Sequence, residues 1–351
     1  MDRKRIAVLF GGSSPEYDVS LHSGHSVIPN IDKEAFEAVP IGITREGDWF
    51  RYYGDVDKIA SDEWHMDKEN CVPAMLVPGR GIHGMAEIKN GEVSTTAIDA
   101  AFPLLHGKNG EDGSVQGLLE LAGIPVVGCG ILSSALCMDK VKSKKLAGLA
   151  GVESPKAFMV TKHSPYEEIF EGMMELSYPV FVKPVNAGSS IGITKVYRDR
   201  DMINAVSEAL KYDCEAIIEE NVDGVEVGCA VIGNQELVTG EVDEIELNVD
   251  WFDYHEKYSQ LKSKIHTPAR ISDDLSELIK EASKKIYRAL GCSGFARIDL
   301  FLTKEGELLF NEANTIPGIT PLSRFPKMMR EAGYSFPELL SKLIELGLDK
   351  Q

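Results

Sequence analysis

The chain has no long apolar run. No stretch of its 351 residues approaches the roughly 20 apolar positions of a membrane span, so no transmembrane helix is expected. The opening MDRKRIAVLFGG offers five apolar residues before glycine. That is too short for a secretory signal and suits a buried first strand. There is no basic excess either: 37 lysines and arginines stand against 55 acids, a net charge of −18. Such a surface opposes nucleic acid and anionic membranes, and neither is expected as a partner. Paired cysteines are also missing. The six cysteines, at 71, 129, 137, 214, 229 and 292, form no CxxC. This pattern predicts reduced thiols in a cytoplasmic protein, most of them in the core, and no zinc site. Internal repeats, low-complexity tracts and long linkers are absent. The length suffices for two or three domains, which are expected to pack around a shared cleft.

A Walker A loop is missing too, and what stands in its stead is informative. In FVKPVNAGSSIGITKV, residues 181–196, Lys183 precedes the Gly188–Gly192 turn, and β-type residues flank it. The Walker order puts lysine after the glycines and a helix behind it. The arrangement predicts a strand lysine beside a glycine hairpin.

Along the chain, strand and helix patterns alternate first. Arg5–Phe10 reads as a strand running into Gly11-Gly12-Ser13-Ser14, Glu16–Asn30 as a helix, and Pro40–Ile43 and Trp49–Tyr53 as strands. Asp62–Asn70 reads as loop or short helix, Ala97–Leu104 as a strand before HGKNGEDG, Val115–Ala122 as a helix and Pro125–Gly130 as a strand. This alternation predicts a parallel α/β domain whose glycine turns follow strands, where such sheets bind ligands. Met138–Ala150 reads as one lysine-rich helix. Strands at Lys156–Val160, Val180–Lys183 and Gly192–Val196 enclose a helix at Tyr166–Leu176; Asp199–Leu210 is another helix and Ala216–Glu219 a strand. From Val225 the pattern turns antiparallel. Residues 248–268 lack a period, Leu275–Leu290 reads as a helix, FARIDLFLT and GELLFNEANT form a hairpin, and a helix near Pro337–Leu346 closes the chain.

The hairpin carries the strongest chemical signal. Asp299 lies on one strand; Glu312 and Asn314 lie two apart, and so on one face, of the other. Hard oxygen ligands converging on one face suit Mg²⁺. Arg297 shares the face of Asp299.

With this face in view, the chain resembles the ATP-grasp superfamily, and within it the D-alanine–D-alanine ligase family, over essentially its whole length. GGSSPEYDVSLHSG, LLHGKNGEDGSVQGLLE, MDK at 138–140, KPVNAGSSIGITKV, IIEENVDGVEVG, FDYHEKY, GFARIDLF and NEANTIPG appear in family order. The resemblance implies an ATP-grasp fold, α/β with an α+β C-terminal part. Its parts would be a Rossmann-like parallel-sheet domain at 1–128, a central domain with a glycine lid at 129–219, and a C-terminal domain at 220–351 carrying the metal site and a mobile loop at 248–268.

It also implies roles. ATP phosphates would meet Lys140, Lys183, Lys257 and the 188–192 loop with Ser190, the backbone around Glu220 to Val222 would hold adenine, Glu226 would take the ribose hydroxyls, and Glu219 would belong to the same ATP site. Asp299, Glu312 and Asn314 would hold Mg²⁺, two ions, with Mn²⁺ able to substitute. Glu16 would pair with the first substrate's ammonium, with His106 near its carboxylate. Ser189 and Tyr258 would join Glu16 in a hydrogen-bond set, Ser189 not being a nucleophile, and Arg297 would stabilise the oxyanion. A cytoplasmic homodimer is implied.

For the second substrate, the tyrosine of EKY implies an amine acceptor rather than D-lactate. In NTIPGITPLSR, the arginine at 324 stands where ordinary family members keep an apolar residue, as in the vancomycin-resistance branch that uses D-serine. Pro321 and Leu322 depart from the Ser and His common in relatives. Gly318, Ser323, Arg324, Asp243 and Phe252 are the candidate pocket residues. The expected activity is ATP-dependent joining of D-alanine to D-serine, with D-alanine–D-alanine ligase as the alternative. EYDVSL and EKY weigh against an unrelated ATP-grasp ligase or carboxylase. The intact Arg297 and metal ligands weigh against a nucleotide-binding regulator without turnover.

Overall fold

The computed structural model describes residues 3–188, 191–247 and 263–350. Ser189, Ser190, Phe252, Lys257 and Tyr258, and most of the expected mobile loop, lie outside them.

Three sheets organise the chain. The first has seven strands in the order β6-β5-β4-β3-β2-β1-β7: β1 (Lys4–Gly11), β2 (Phe36–Ile43), β3 (Trp49–Tyr52), β4 (Cys71–Leu76), β5 (Gly84–Lys89), β6 (Glu92–Ala97) and β7 (Ala100–Pro103). β1 is apolar on both faces, with Ile6 to Phe10 fully buried, as a central parallel strand must be. It pairs parallel with β2 and β7; helix α1 (Tyr17–Asn30) packs on the sheet, the short helix α2 (Asp57–Ala60) comes next in the chain, and α3 (Ser114–Ala122) packs on the sheet as well. The sheet is mixed rather than parallel throughout, because β3 to β6 form an antiparallel meander off β2. β6, polar and exposed, is the outer edge and leaves little hydrophobic pattern to read. The strand expected at Pro125–Gly130 is only one bridge, Ala101 to Val126.

The expected Met138–Ala150 helix is α5 (Lys140–Leu149), and a helix unread in the sequence, α4 (Ile131–Met138), runs directly into it. Asp139 breaks the run at φ −81°, ψ 102°, and its carboxylate caps α5 by accepting from Lys142 N at 2.8 Å. Then comes a four-stranded antiparallel sheet, β10-β9-β11-β8, formed by β8 (Ala157–Thr161), β9 (Val180–Pro184), β10 (Thr194–Val196) and β11 (Glu215–Glu220). Helices α6 (Tyr166–Met173) and α7 (Asp199–Ala209) cover it with a core of their own, including Val160, Val182, Met202 and Ile218.

The third sheet is antiparallel and six-stranded, β15-β14-β12-β16-β17 with β13 added on β12: β12 (Gly224–Gly233), β13 (Val238–Thr239), β14 (Asp243–Leu247), β15 (Ser263–His266), β16 (Gly294–Thr303) and β17 (Leu308–Asn314). Helix α8 (Asp273–Ala289) packs on it, capped by Ser272. The last helices are α9 (Arg324–Glu331), unread in the sequence, and α10 (Phe336–Leu348). They return to the first sheet and share its core. Phe295 of β16 meets Phe102 of β7 at 6.0 Å between ring centroids and Phe325 of α9 at 5.5 Å. One continuous core therefore joins the first and third sheets, while the second keeps a separate one.

Candidate active site

Where these sheets converge, a cleft of about 520 Å³ opens. Glu16, His106, Gly188, Arg297, Glu312, Asn314, Gly318, Ser323 and Arg324 all line it, so nine of the expected site residues share one cavity.

On the first-sheet side, Glu16 sits just before α1 and is buried. Ser14 fixes the turn: its hydroxyl donates to the His106 carbonyl at 2.6 Å and accepts from Glu16 N at 3.1 Å. Two glycines let chain pass the Glu16 carboxylate. A Cβ on Gly107 would lie 2.5 Å from Oε2, and one on Gly188 would lie 2.9 Å from it. The His106 ring lies 2.9 Å, through Nδ1, from the Ile316 carbonyl and 3.2 Å, through Nε2, from Ser23 Oγ. A carbonyl only accepts, so Nδ1 carries the proton. Sequence reasoning passed over Glu111, whose carboxylate accepts from Gly107 N at 2.7 Å and from Ile316 N at 3.2 Å. It clamps the 106–113 loop to the chain leaving β17.

The hairpin behaves as its pattern predicts, with one addition. Asp299 pairs with Glu312 and Arg297 with Asn314, so all four share the cleft face. Between Asp299 and Leu300 the register shifts, because Asn311 is an extra residue in β17. Phe310 N donates to Glu153 O at 2.7 Å, and the Phe310 carbonyl accepts from Lys144 Nζ at 3.3 Å. Arg297 forks onto Asp299 through Nε at 2.8 Å and Nη2 at 2.7 Å, and Asn314 Nδ2 donates to Asp299 at 2.9 Å. Burial works against the Arg297 charge, but Asp299 outweighs it and raises its pKa. Among the described residues no group of three or more histidine, cysteine or acidic side chains is set to hold a metal. The candidate set is instead two carboxylates and one amide. Glu312 and Asn314 face the cleft and Asp299 lies buried on the same sheet face, a hard-oxygen donor set that fits Mg²⁺.

Beside this face is a buried basic cluster. Lys183 of β9 meets Glu219 of β11 at 2.5 Å, and Lys144 of α5 meets the other Glu219 oxygen at 2.7 Å. Lys144 was legible as one lysine of a lysine-rich helix, but nothing in the pattern marked it, or Lys140, as buried. Its burial lowers its pKa, the neighbouring Glu219 only partly offsetting this. Burial raises the Glu219 pKa, yet the two lysines overcome that and hold it at about 2. Lys140 donates to the Ala187 carbonyl, tying α5 to the glycine loop. Glu220 is held by strand β8's approach, accepting from Lys156 N at 2.8 Å, and Val222 lies in the turn between β11 and β12.

The far wall is built on Arg324, the first residue of α9. Its Nε and Nη2 each donate to Asp243 at 2.7 Å; Nη1 donates to Glu226 at 3.1 Å, and Nη2 lies 3.4 Å from Asp299. Asp243 is fully buried. These acids overcome the cost of burial and raise the Arg324 pKa well above its ordinary value. Ser323 bonds Thr320 Oγ1 at 2.8 Å, closing the turn beside Gly318. Glu312 and Asn314 of the sheet face and Arg324 of the far wall thus line one cleft, with the Lys144–Lys183–Glu219 cluster beside it.

Family comparisons agree with that geometry. Residues 5–129 match the model described as D-ala D-ala ligase N-terminus, and residues 147–345 the one described as D-ala D-ala ligase C-terminus. The chain belongs to the D-Ala–D-Ala ligase family. It is therefore an ATP-dependent, peptide-bond-forming ligase of the ATP-grasp fold. A D-alanine–D-alanine ligase of Caldicellulosiruptor bescii is 42% identical, covering 100% of this chain and 96% of that protein. The vancomycin/teicoplanin A-type resistance protein VanA of Enterococcus faecium is 44% identical, with 99% of each covered. Among solved structures, the VanG D-Ala:D-Ser ligase of Enterococcus faecalis superposes with a TM-score of 0.92 at 50% identity, covering 98% of this chain and 99% of that one. No helix of this ligase is long and apolar enough to cross a membrane, among the described residues.

Proposed function

We propose that this ligase joins D-alanine to D-serine, in the making of altered peptidoglycan precursors that confer vancomycin resistance. The observation that carries the reading is Arg324, a buried guanidinium forked onto Asp243 in the wall of the cleft. A pocket with fixed polar groups can reward the extra hydroxyl of serine, whereas an apolar one discriminates poorly. Likeness to the VanG D-Ala:D-Ser ligase supports the same acceptor.

On this reading residues 1–128 carry the donor site, 129–219 the phosphate site and 220–351 the metal and acceptor sites. Glu16 holds the ammonium of the donor D-alanine, and His106 lies by its carboxylate. Lys140 and Lys183 hold the ATP phosphates, with Glu219 and Lys144 fixing the Lys183 ammonium; Glu220 and Val222 flank the adenine and Glu226 takes the ribose. Asp299, Glu312 and Asn314 would hold Mg²⁺, which when bound neutralises charge on the transferring phosphoryl group. The donor carboxylate takes the γ-phosphoryl group and ADP leaves. The acceptor amine then attacks the acyl carbon, loses a proton, and phosphate departs. Arg297 stabilises the tetrahedral oxyanion.

The test offers D-serine and D-alanine together as acceptors at fixed donor and pH, with both dipeptides measured by mass. D-alanyl-D-serine should dominate. Arg324→Leu should lower kcat/KM for D-serine relative to D-alanine by roughly 1–3 kcal/mol, the loss of a buried polar contact. A wild-type enzyme that makes only D-alanyl-D-alanine would leave ordinary D-alanine–D-alanine ligation as its function.

A further inference from the structure

We infer that Gly228 is a specificity-determining residue, because the space of its missing side chain seats the Arg324 guanidinium. The inference rests on the reading above that Arg324 shapes the acceptor site. Gly228 lies in β12, paired with Asp243 of β14 on one side and Asp299 of β16 on the other, and Asp299 pairs onward with Glu312. Paired residues share a face, so this is a row across four strands with three acids and one gap. Arg324 descends from the start of α9 into the gap. A Cβ on Gly228 would lie 2.4 Å from Arg324 Nη2, 2.7 Å from Asp243 Oδ1 and 2.9 Å from Asp299 Oδ1.

Two features show that the glycine serves this contact rather than the backbone. Gly228 lies outside the left-handed region, so its strand conformation is open to any residue. The three nearest atoms are all side-chain ends. An added methyl group therefore leaves the ladder intact and displaces the fork. Once displaced, Nη2 no longer reaches Asp243, and that fully buried carboxylate keeps at most the Nε half of its two-pronged contact. The acceptor wall then changes shape and charge with Arg324 still in the sequence.

The experiment measures the dipeptide ratio, with D-serine and D-alanine competing, for the full-length wild type, Gly228→Ala, Arg324→Leu and the double variant. Gly228→Ala should shift the ratio away from D-alanyl-D-serine by roughly 5- to 100-fold, as Arg324→Leu does. The double variant should shift no further than Arg324→Leu alone, because both changes remove one contact. If Arg324→Leu shifts the ratio and Gly228→Ala leaves it at the wild-type value, or if the two effects add, the role of Gly228 is overturned and that of Arg324 stands. If neither shifts it, the reading of Arg324 fails and this inference with it. Should Gly228→Ala not fold, the double variant, freed of the closest of the three contacts and leaving the two carboxylates room to turn, should fold and melt like Arg324→Leu. A double variant that also fails to fold would show that Gly228 serves something other than Arg324.

Discussion

Two buried ion clusters border the same chemistry and lean opposite ways. In one, Lys144 and Lys183 share the single carboxylate of Glu219. In the other, Arg297 and Arg324 lie among Asp243, Glu226, Asp299 and Glu312. Both are largely buried, and net charge taken out of water is costly unless a ligand brings the counter-charge. The basic cluster therefore suits phosphate, and the acidic face suits a metal cation. The contrast teaches that the sign of the excess, more than the number of ion pairs, announces what a site receives.

The most severe way to break the contrast is to neutralise the acidic face. On the proposed metal site, Glu312→Gln would remove one of three oxygen donors and should reduce ADP release at saturating Mg²⁺ by at least about a hundred-fold. Wild-type turnover in that variant would remove this face from the mechanism.

Next comes the basic cluster. Glu219 has its pKa held down to about 2 from an ordinary 4.5. A depressed carboxylate contributes stability that is fully present above 4.5 and fades as pH falls toward 2. Glu219→Gln should cost about 3–5 kcal/mol at neutral pH, as breaking a buried pair does, and flatten the stability curve across that acid window. Urea titrations at several pH values measure both. Curves that run parallel for wild type and variant between those limits would contradict the coupling.

The smallest effect sharpens the comparison by leaving the interior. Lys304 meets Asp223 at 2.6 Å, close to the Lys183–Glu219 distance, but both side chains are well exposed. Water screens such a pair. Lys304→Ala should leave the melting temperature unchanged, and a clear drop would show that distance matters more than burial.

Much of this was legible because the chemistry lies on regular strands. Asp299, Glu312 and Asn314 obey the two-residue period, and the apolar β1 announced itself before its glycine turn. The meander β4–β6 was not legible, since its outer strand is solvated and carries no hydrophobic period. Nor was α9, a short helix opened by Arg324 whose anchoring contacts come from strands about 80 and 98 residues earlier. Lys144 and Glu111 escaped for a similar reason. Each is one charged residue among several, and only tertiary contacts single it out.

The extra residue Asn311 has a consequence in the grammar of insertions and deletions. Phe310 and Glu312 are two apart, yet Phe310 is fully buried in the core while Glu312 lines the cleft. Strict alternation would send both to one side. Asn311 is a punctuation mark that lets the strand change phase between core and cleft. Loss of that single codon would force a choice: either the phenylalanine leaves the core or the glutamate leaves the cleft. A strand that looks tolerant of change at a polar position therefore has no tolerance for a change of length there, and natural variants of this protein should substitute residue 311 far more readily than delete it.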